Sequence, residues 1–425
     1  WLTMTAVPWL ATLPLCALYF GEIYLWGVPA NLFAITLATW LITPAALLGA
    51  FCCFWGFEVP VILEWMLILG IDSIQTLLQI FRNTGWTSIQ VSWAGACLLS
   101  VAVWPWLVVW LRGRPLAGLI KALVPGLSLV AVVGVWSALT PDNRLQVYMP
   151  YVGHGDATLV EFPTGEVMLV DAGGTGYQSR FDPGEKVVAP LLRKRGHTHI
   201  DYVVMSHPDH DHIGGLEYIL DRFSVGELWV DERFLGHVRV KALAAKVRRL
   251  SGQVRAFQEL PEVLKLGATK IQLIYPRRVH GHGRNATTNQ RSLVFRIEQE
   301  GRSILFTGDL DETVEKLLAP NLRPTELLKV AHHGSKTSSS GLFLEAIQPC
   351  LALVSSSRRG RGQFPHPDVV HRYRDREINL FQTKLRGALE IYSTPTGWQV
   401  QSVLQQARDV QCSAKKATAQ GVHLD

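Results

Sequence analysis

The residues best suited to chemistry in this 425-residue chain sit in one run, Ser-His207-Pro-Asp209-His210-Asp211-His212-Ile-Gly-Gly. Five imidazoles and carboxylates fall within six positions there. Buried in an apolar core, each would need a compensating partner. As neutral imidazole nitrogens and carboxylate oxygens they form a donor set for divalent metals. Two further pieces share the same context, polar groups closing a predicted strand. They are Phe306-Thr-Gly-Asp309 and Val330-Ala-His332-His333-Gly-Ser335-Lys336. Each is weak alone, because Gly-Asp is a common turn and a His pair can cap a strand. In this order and spacing they reinforce one another.

These loops need rigid elements behind them. Val167–Val170 reads as a compact apolar strand ending in Asp171-Ala-Gly-Gly. Gly184–Arg195 reads as a helix, with Pro183 ahead of it, Arg193-Lys194-Arg195 in its last turn and Gly196 to close it. The strand Ile200–Met205 leads into the His/Asp run and Ile213–Phe223 leaves it as a helix, with Gly214 and Gly215 expected to permit a tight turn. Further strands are expected at Glu227–Val230, Ser292–Ile297, Ser303–Phe306, Leu327–Ala331 and Leu351–Val354. Such alternation argues α/β architecture. After about residue 405 the chain turns polar and is expected to fray.

The first third is made for a different solvent. Residues 1–141 carry only eight charged side chains, balanced in sign, while the remainder holds the whole +6 excess. All 14 His follow position 150, and 12 of 14 Trp precede position 137. This excludes a single water-soluble domain, a disulfide scaffold and a disordered chain. The uncharged runs 1–21, 23–57, 83–111 and 122–141 predict three or four membrane crossings. Ile62–Phe81 holds Glu64, Asp72 and two Gln, which suits an interfacial position or a polar cavity. The loop with Arg112, Arg114 and Lys121 is expected to face the cytoplasm, so that everything after Asp142 is extracytoplasmic. The chain begins in hydrophobic sequence without the charged n-region of a signal peptide, and so reads as a piece of a longer membrane protein. Cys350 and Cys412 are the only two cysteines outside the apolar third, and no spacing demands that they pair.

The ordered set Asp171-Ala-Gly-Gly, His207-x-Asp209-x-Asp211-His212, Thr-Gly-Asp309 and His332-His333-Gly-Ser resembles that of the metallo-β-lactamase superfamily. More narrowly, Val-Gly-His154-Gly-Asp156-Ala, His-His-Gly-Ser-Lys and Phe-Pro-His366-Pro are similar to the ComEC/Rec2 DNA-internalisation proteins of natural competence. The resemblance covers nearly the whole chain. It implies a partial transmembrane competence domain over 1–141, a metallo-β-lactamase-like domain of αββα sandwich fold over 142–404, and a polar tail over 405–425.

It also implies a site for two divalent metal ions, Zn or Mn. His207 and Asp209 would serve the first, Asp211 and His212 the second, with Asp309 bridging. One of His332 and His333 would complete the set, and Asp171 would orient the His ligands. Two positions depart from the superfamily pattern: Asp209 stands where a His is usual, and Asn289-Gln-Arg-Ser292 stands where another His is expected. Of the possible replacements, His280 and His282 lie in a Gly-rich loop that suits solvent or phosphate better than ligation. An oxygen-rich first site would favour a harder ion such as Mn²⁺.

Such a site suits phosphodiester hydrolysis. Asp211 would help hold the attacking water, His366 is a candidate general acid, and Ser335 and Lys336 are candidate phosphate contacts. Basic clusters such as Arg193-Lys194-Arg195 and Arg372, Arg374, Arg376 fit a nucleic-acid partner without establishing one. The expected partners are the membrane, DNA (a single strand in the channel, duplex at the nuclease) and other proteins of the competence machinery. Three functions fit these residues: a DNA-translocation channel with an extracytoplasmic nuclease, a membrane-tethered hydrolase of another ester or lactam, and a channel whose metallo-domain does no catalysis.

Overall fold

The computed structural model describes residues 2–20, 22–24, 27–83, 88–90, 95–100, 103–104, 144–175, 181–277, 286–358 and 364–412. It divides into two compact units: Trp1–Thr140 with Leu192–Thr198, and Pro141–Leu191 with His199–Asp425.

In the first unit, α1 spans Leu2–Phe20 and carries Pro8 and Pro14 in its interior. α2 runs Gly27–Phe54 through a π-turn at Ala38–Ile42, and α3 covers Val61–Asn83. β1 (Glu22–Tyr24) pairs antiparallel with β2 (Ser88–Gln90). Among the described residues, α2 is the one helix long and apolar enough to cross a bilayer, with 28 residues and a mean hydropathy of 1.8. It coincides with the uncharged run 23–57, and it leaves Trp40, Leu47, Phe51 and Phe54 exposed. The run 83–111 is described only in pieces. The run 122–141, and the loop with Arg112, Arg114 and Lys121, lie outside the described residues.

The second unit is built on two sheets. The first is formed by β3 (Gln146–Met149), β4 (Ala157–Glu161), β5 (Val167–Ala172), β6 (His199–Val204), β7 (Ser224–Val230) and β8 (Gln253–Ala256), joined by three late strands. Those are β16 (Leu389–Thr394), β17 (Gly397–Ser402) and β18 (Gln405–Gln411), and the order is β18-β17-β16-β3-β4-β5-β6-β7-β8. The other sheet contains β9 (Val263–Leu266), β10 (Thr269–Tyr275), β11 (Val294–Gln299), β12 (Arg302–Phe306), β13 (Leu327–Lys329), β14 (Leu351–Val354) and β15 (Asn379–Gln382). Its order is β15-β14-β13-β12-β11-β10-β9. β5 to β8 run parallel, as do β12 to β15.

Period-2 side-chain alternation explains the layering. On β11 and β12, Phe295, Ile297, Ile304 and Phe306 enter a core shared with Val160, Met168 and Trp229 of the opposite sheet. Phe295 and Phe306 face each other across the ladder and stack at 4.7 Å. Their neighbours Val294 and Leu305 point the other way, against Val314, Phe343 and Tyr373 of three outer helices. Helices Leu216–Arg222 and Val238–Arg249 pack on strands of the first sheet. The result is the expected αββα sandwich.

Three expectations need correction. Residues 405–411 do not fray: they form β18, paired with β17. Cys412, next after it, is disulfide-bonded to Cys350, with Cα atoms 5.7 Å apart. The polar composition misled because an edge strand keeps one face wet; residues 413–425 lie outside the described part. Leu327–Ala331 is strand only to Lys329, because the chain then turns to present the His pair. Gly214 and Gly215 have ordinary right-handed backbones, so no turn requires them. Their role is close approach: a Cβ on Gly215 would collide with the Gly184 backbone and the Ala172 carbonyl.

The disulfide closes a loop of 62 residues in sequence separation. Chain-entropy reasoning gives it a stabilisation of about 4 kcal/mol. Cys412→Ser should therefore lower the unfolding midpoint of the second unit in calorimetry, and reductant should lower the wild-type midpoint to match. Equal midpoints with and without reductant would exclude the bond.

Candidate metal centre

All the ligating side chains expected from the sequence project from loops and short helical turns beyond strand C-termini of the two sheets. Ser206 to His212 follow β6, Asp309 follows β12, and His332 and His333 follow β13. This is where parallel strands leave a crevice for ligands. Asp171 lies near the end of β5 with a left-handed backbone, φ 58°. His332 and His333 are also left-handed, at φ 49° and 52°. Such conformations cost roughly 1–3 kcal/mol each and persist only where the surroundings enforce them. Here the His332 amide donates to the Gly308 carbonyl at 3.2 Å, and the Ser335 amide returns to the His332 carbonyl at 2.8 Å. Gly308 itself has φ 49° and lies against Ser292 and Ser206, where a Cβ would crowd both side chains.

Asp309 is the centre. Its carboxylate is 3 % exposed. Oδ1 lies 3.2 Å from His212 Nε2, and Oδ2 lies 3.9 Å from each of His207 Nε2, His332 Nε2 and His333 Nε2. Two groupings surround it. His207 Nε2 is 3.6 Å from Asp209, whose carboxylate meets Thr288, while His332 Nε2 is 3.5 Å from Asn289. In the second grouping His333 Nε2 is 3.4 Å from Asp211.

Asp171 sets the tautomers. It accepts the Ser206 amide at 2.9 Å and the Ser206 hydroxyl at 2.6 Å, and His212 Nδ1 at 2.8 Å. With its proton committed to Asp171, Ser206 Oγ is left to accept from His207 Nδ1 at 3.0 Å. Both rings thus have Nδ1 committed to a partner and turn Nε2 toward Asp309. This is the outer-shell arrangement that orients histidine ligands.

The acids and imidazoles of the cluster shift one another strongly. Burial would lower His212 and His333, but the surrounding carboxylates prevail and hold both above the usual imidazole value. Burial would raise Asp309 and Asp211, but the neighbouring imidazoles hold both below the carboxylate range. Asp209 is lowered, chiefly by its contact with His207. His332 is lowered by burial. Among the buried atoms without a hydrogen-bond partner are Asp309 Oδ1, His207 Nε2, His212 Nε2 and both ring nitrogens of His333. Desolvated donor atoms of this kind, converging on one point, fit divalent metal.

Two participants carried no assigned role in the sequence reading. Asp156 lies with His212, Asp309 and His333, their candidate atoms all within 4.8 Å of one another. His154 groups with Asp211 and His333, its ring 4.9 Å from that of His333. Their signal was the Val-Gly-His-Gly-Asp motif, noted only as a resemblance. Asp156 Oδ2 is bound by the buried ammonium of Lys329. Its other oxygen, Oδ1, is buried without a hydrogen-bond partner, so Asp156 can balance the Lys329 charge and still offer a donor atom to the cluster.

Three expected residues stand apart from the cluster. His366 caps the helix Pro367–Asp375, its Nδ1 accepting from the Asp368 amide at 3.2 Å. Lys336 is exposed, 3.7 Å from Asp368, and Ser335 Oγ meets Thr337 at 3.2 Å. His280 and His282 lie outside the described residues.

Comparison with known proteins follows this geometry. Residues 150–356 match the metallo-beta-lactamase superfamily and residues 1–115 match the "Competence protein" family. The chain is 25% identical over 399 residues to ComE operon protein 3 of Bacillus subtilis, covering 90% of this chain and 50% of that protein. It is 29% identical over 406 residues to the uncharacterized protein YcaI of Escherichia coli, covering 93% and 49%. It is 28% identical over 247 residues to Recombination protein 2 of Haemophilus influenzae, covering 55% and 29%. The chain thus spans about half the length of the first two of these relatives.

Asp171→Asn would deprive Ser206 and His212 of their carboxylate acceptor and, through Ser206, loosen the orientation of His207. Isothermal titration should show metal affinity falling on the order of 10–100-fold with the fold retained. An unchanged affinity would remove Asp171 from the centre.

Proposed function

The chain belongs to the ComEC/Rec2 competence family, and from that premise we propose that it is a DNA-uptake protein of the membrane. Its second unit would hydrolyse phosphodiesters of the strand that is not imported. The observation carrying this reading is the convergence of His207, His212, His332 and His333 on Asp309, with Asp209 beside His207 and Asp211 beside His333. We assign His207, Asp209 and His332 to one set and Asp211, His212 and His333 to the other. Each set would hold one divalent ion, with Asp309 shared. His332 would thereby take the place left by the missing His near Asn289. Bound there, two ions would lower the pKa of a water and neutralise charge on the attacking and leaving oxygens.

The chain's own residues supply the rest. Asp211 stays ionised, so it accepts a hydrogen bond and fixes the attacking water. Asp171 and Ser206 keep the His207 and His212 lone pairs aimed inward. His154, lowered by burial, is neutral at pH 7 and stands beside Asp211 and His333. In His366 the cap occupies Nδ1, so its proton sits on Nε2; it is our candidate donor to the departing sugar oxygen. Lys336 and Ser335, at the rim, are candidates for phosphate contact.

Two features support an extracytoplasmic second unit. The basic loop Arg112–Lys121 favours the cytoplasm for the segment before it. The Cys350–Cys412 disulfide belongs to an oxidising compartment. A periplasm-dependent reporter fused at residue 142 should be active, and activity of a cytoplasm-dependent reporter instead would reverse the orientation.

The nuclease reading is tested on the full chain in detergent. Mn²⁺- or Zn²⁺-dependent digestion of duplex DNA should fall on the order of 10²–10⁴-fold in Asp211→Ala. Turnover of nitrocefin or a small ester with DNA left intact would instead identify a tethered hydrolase. Neither activity, with metal bound, would leave a non-catalytic domain.

A further inference from the structure

Beside the metal centre lies an open groove of about 810 Å³. Ser357 and Arg358 after β14, Phe364 and Pro365, the helix Pro367–Asp375 and the short helix Thr383–Arg386 form it. Arg358, His371 and Lys384 supply its polar lining, and Phe364 and Leu385 its apolar lining. None of its nine lining residues is acidic.

Phe364 is shared between groove and centre. Its ring lies 5.1 Å from that of His154 and 6.4 Å from that of His333, so a single aromatic side chain separates the groove from the candidate ligands. The groove is also held in place by its own hydrogen bonds. Lys384 Nζ donates to the Phe364 carbonyl, and the Arg358 amide donates to Tyr151 Oη at 3.1 Å.

We propose that this groove is a track for one single strand of nucleic acid running to or from the metal centre. Its phosphates would lie against Arg358 and Lys384, and a base would stack on Phe364. The charge is complementary, and the combination of a basic wall with an aromatic platform is what unpaired strands require. A duplex would keep its bases stacked on one another and away from Phe364. Burial pushes the Lys384 ammonium below the ordinary lysine value, so an anion placed beside it would be favoured.

This inference rests on the nuclease reading, and the test separates the two. The probe is a fluorescein-labelled 12-nucleotide oligothymidine, titrated by anisotropy with the full-length chain in detergent and EDTA. Arg358→Ala with Lys384→Ala should weaken binding about 10-fold at 0.1 M salt, and reduce the slope of log K against log salt by about 1.4, or 0.7 per lost phosphate contact. Lys384→Arg should retain wild-type binding. With Mn²⁺ added, hydrolysis of bis(p-nitrophenyl) phosphate, too small to reach the groove, should be unchanged in the double variant. A double variant that keeps the wild-type affinity and slope overturns the track while leaving the nuclease intact. Equal loss in binding of a 12-base-pair duplex and of the single strand also overturns it. A wild-type protein that hydrolyses the small diester but neither binds nor cleaves DNA overturns the nuclease reading itself.

Discussion

Asp309 is buried with one carboxylate oxygen lacking a hydrogen-bond partner, and everything around it answers that fact. Taking an ionised carboxylate out of water is affordable only with compensating charge. Four imidazoles converge on it, and three more carboxylates, Asp156, Asp209 and Asp211, stand behind them. Without a cation this assembly holds protons tightly on some rings and leaves nitrogens of others unsatisfied. With divalent ions the same atoms become a matched donor set.

The sandwich is organised to deliver that set. The parallel portion of each sheet ends at the same edge, so ligands separated by more than a hundred residues arrive from opposing layers. The shared apolar core, with Phe295 stacked on Phe306, fixes the spacing between those layers. Tight backbone geometry finishes the aiming: the left-handed Asp171, His332 and His333, and the contact of Gly215 with Gly184. Lys329 adds a buried positive charge on Asp156 Oδ2, while Asp156 Oδ1 stays without a hydrogen-bond partner beside the cluster.

Much of this was legible in the sequence because polar density is conspicuous against apolar strands. The run His207–His212, Asp309 and the His332-His333 pair were identifiable since no packed core tolerates such groups unpaired. The strands around them were legible for the same reason, as short apolar runs broken by loops. What stayed hidden depends on three-dimensional proximity. Sequence spacing could not show that His332 and His333 both reach Asp309, because two consecutive left-handed residues aim them there. Nor could it bring Asp156 beside Lys329, 173 positions later. His366 looked like a chemical residue, yet its first role is to cap a helix. β18 was missed because an edge strand resembles a polar tail until its partner is known. Gly214 and Gly215 were rightly singled out for the wrong reason, since their need is space rather than turn geometry.

The central claim is that Asp309 joins two cation sites built from His207, Asp209 and His332 and from Asp211, His212 and His333. Metal content by mass spectrometry, on full-length protein equilibrated with Mn²⁺ or Zn²⁺ and desalted, tests it most directly. Two ions per chain are predicted for the wild type, with both lost or severely depleted in Asp309→Ala. A wild-type chain that retains no ion, or an Asp309→Ala variant that still binds two, would contradict it.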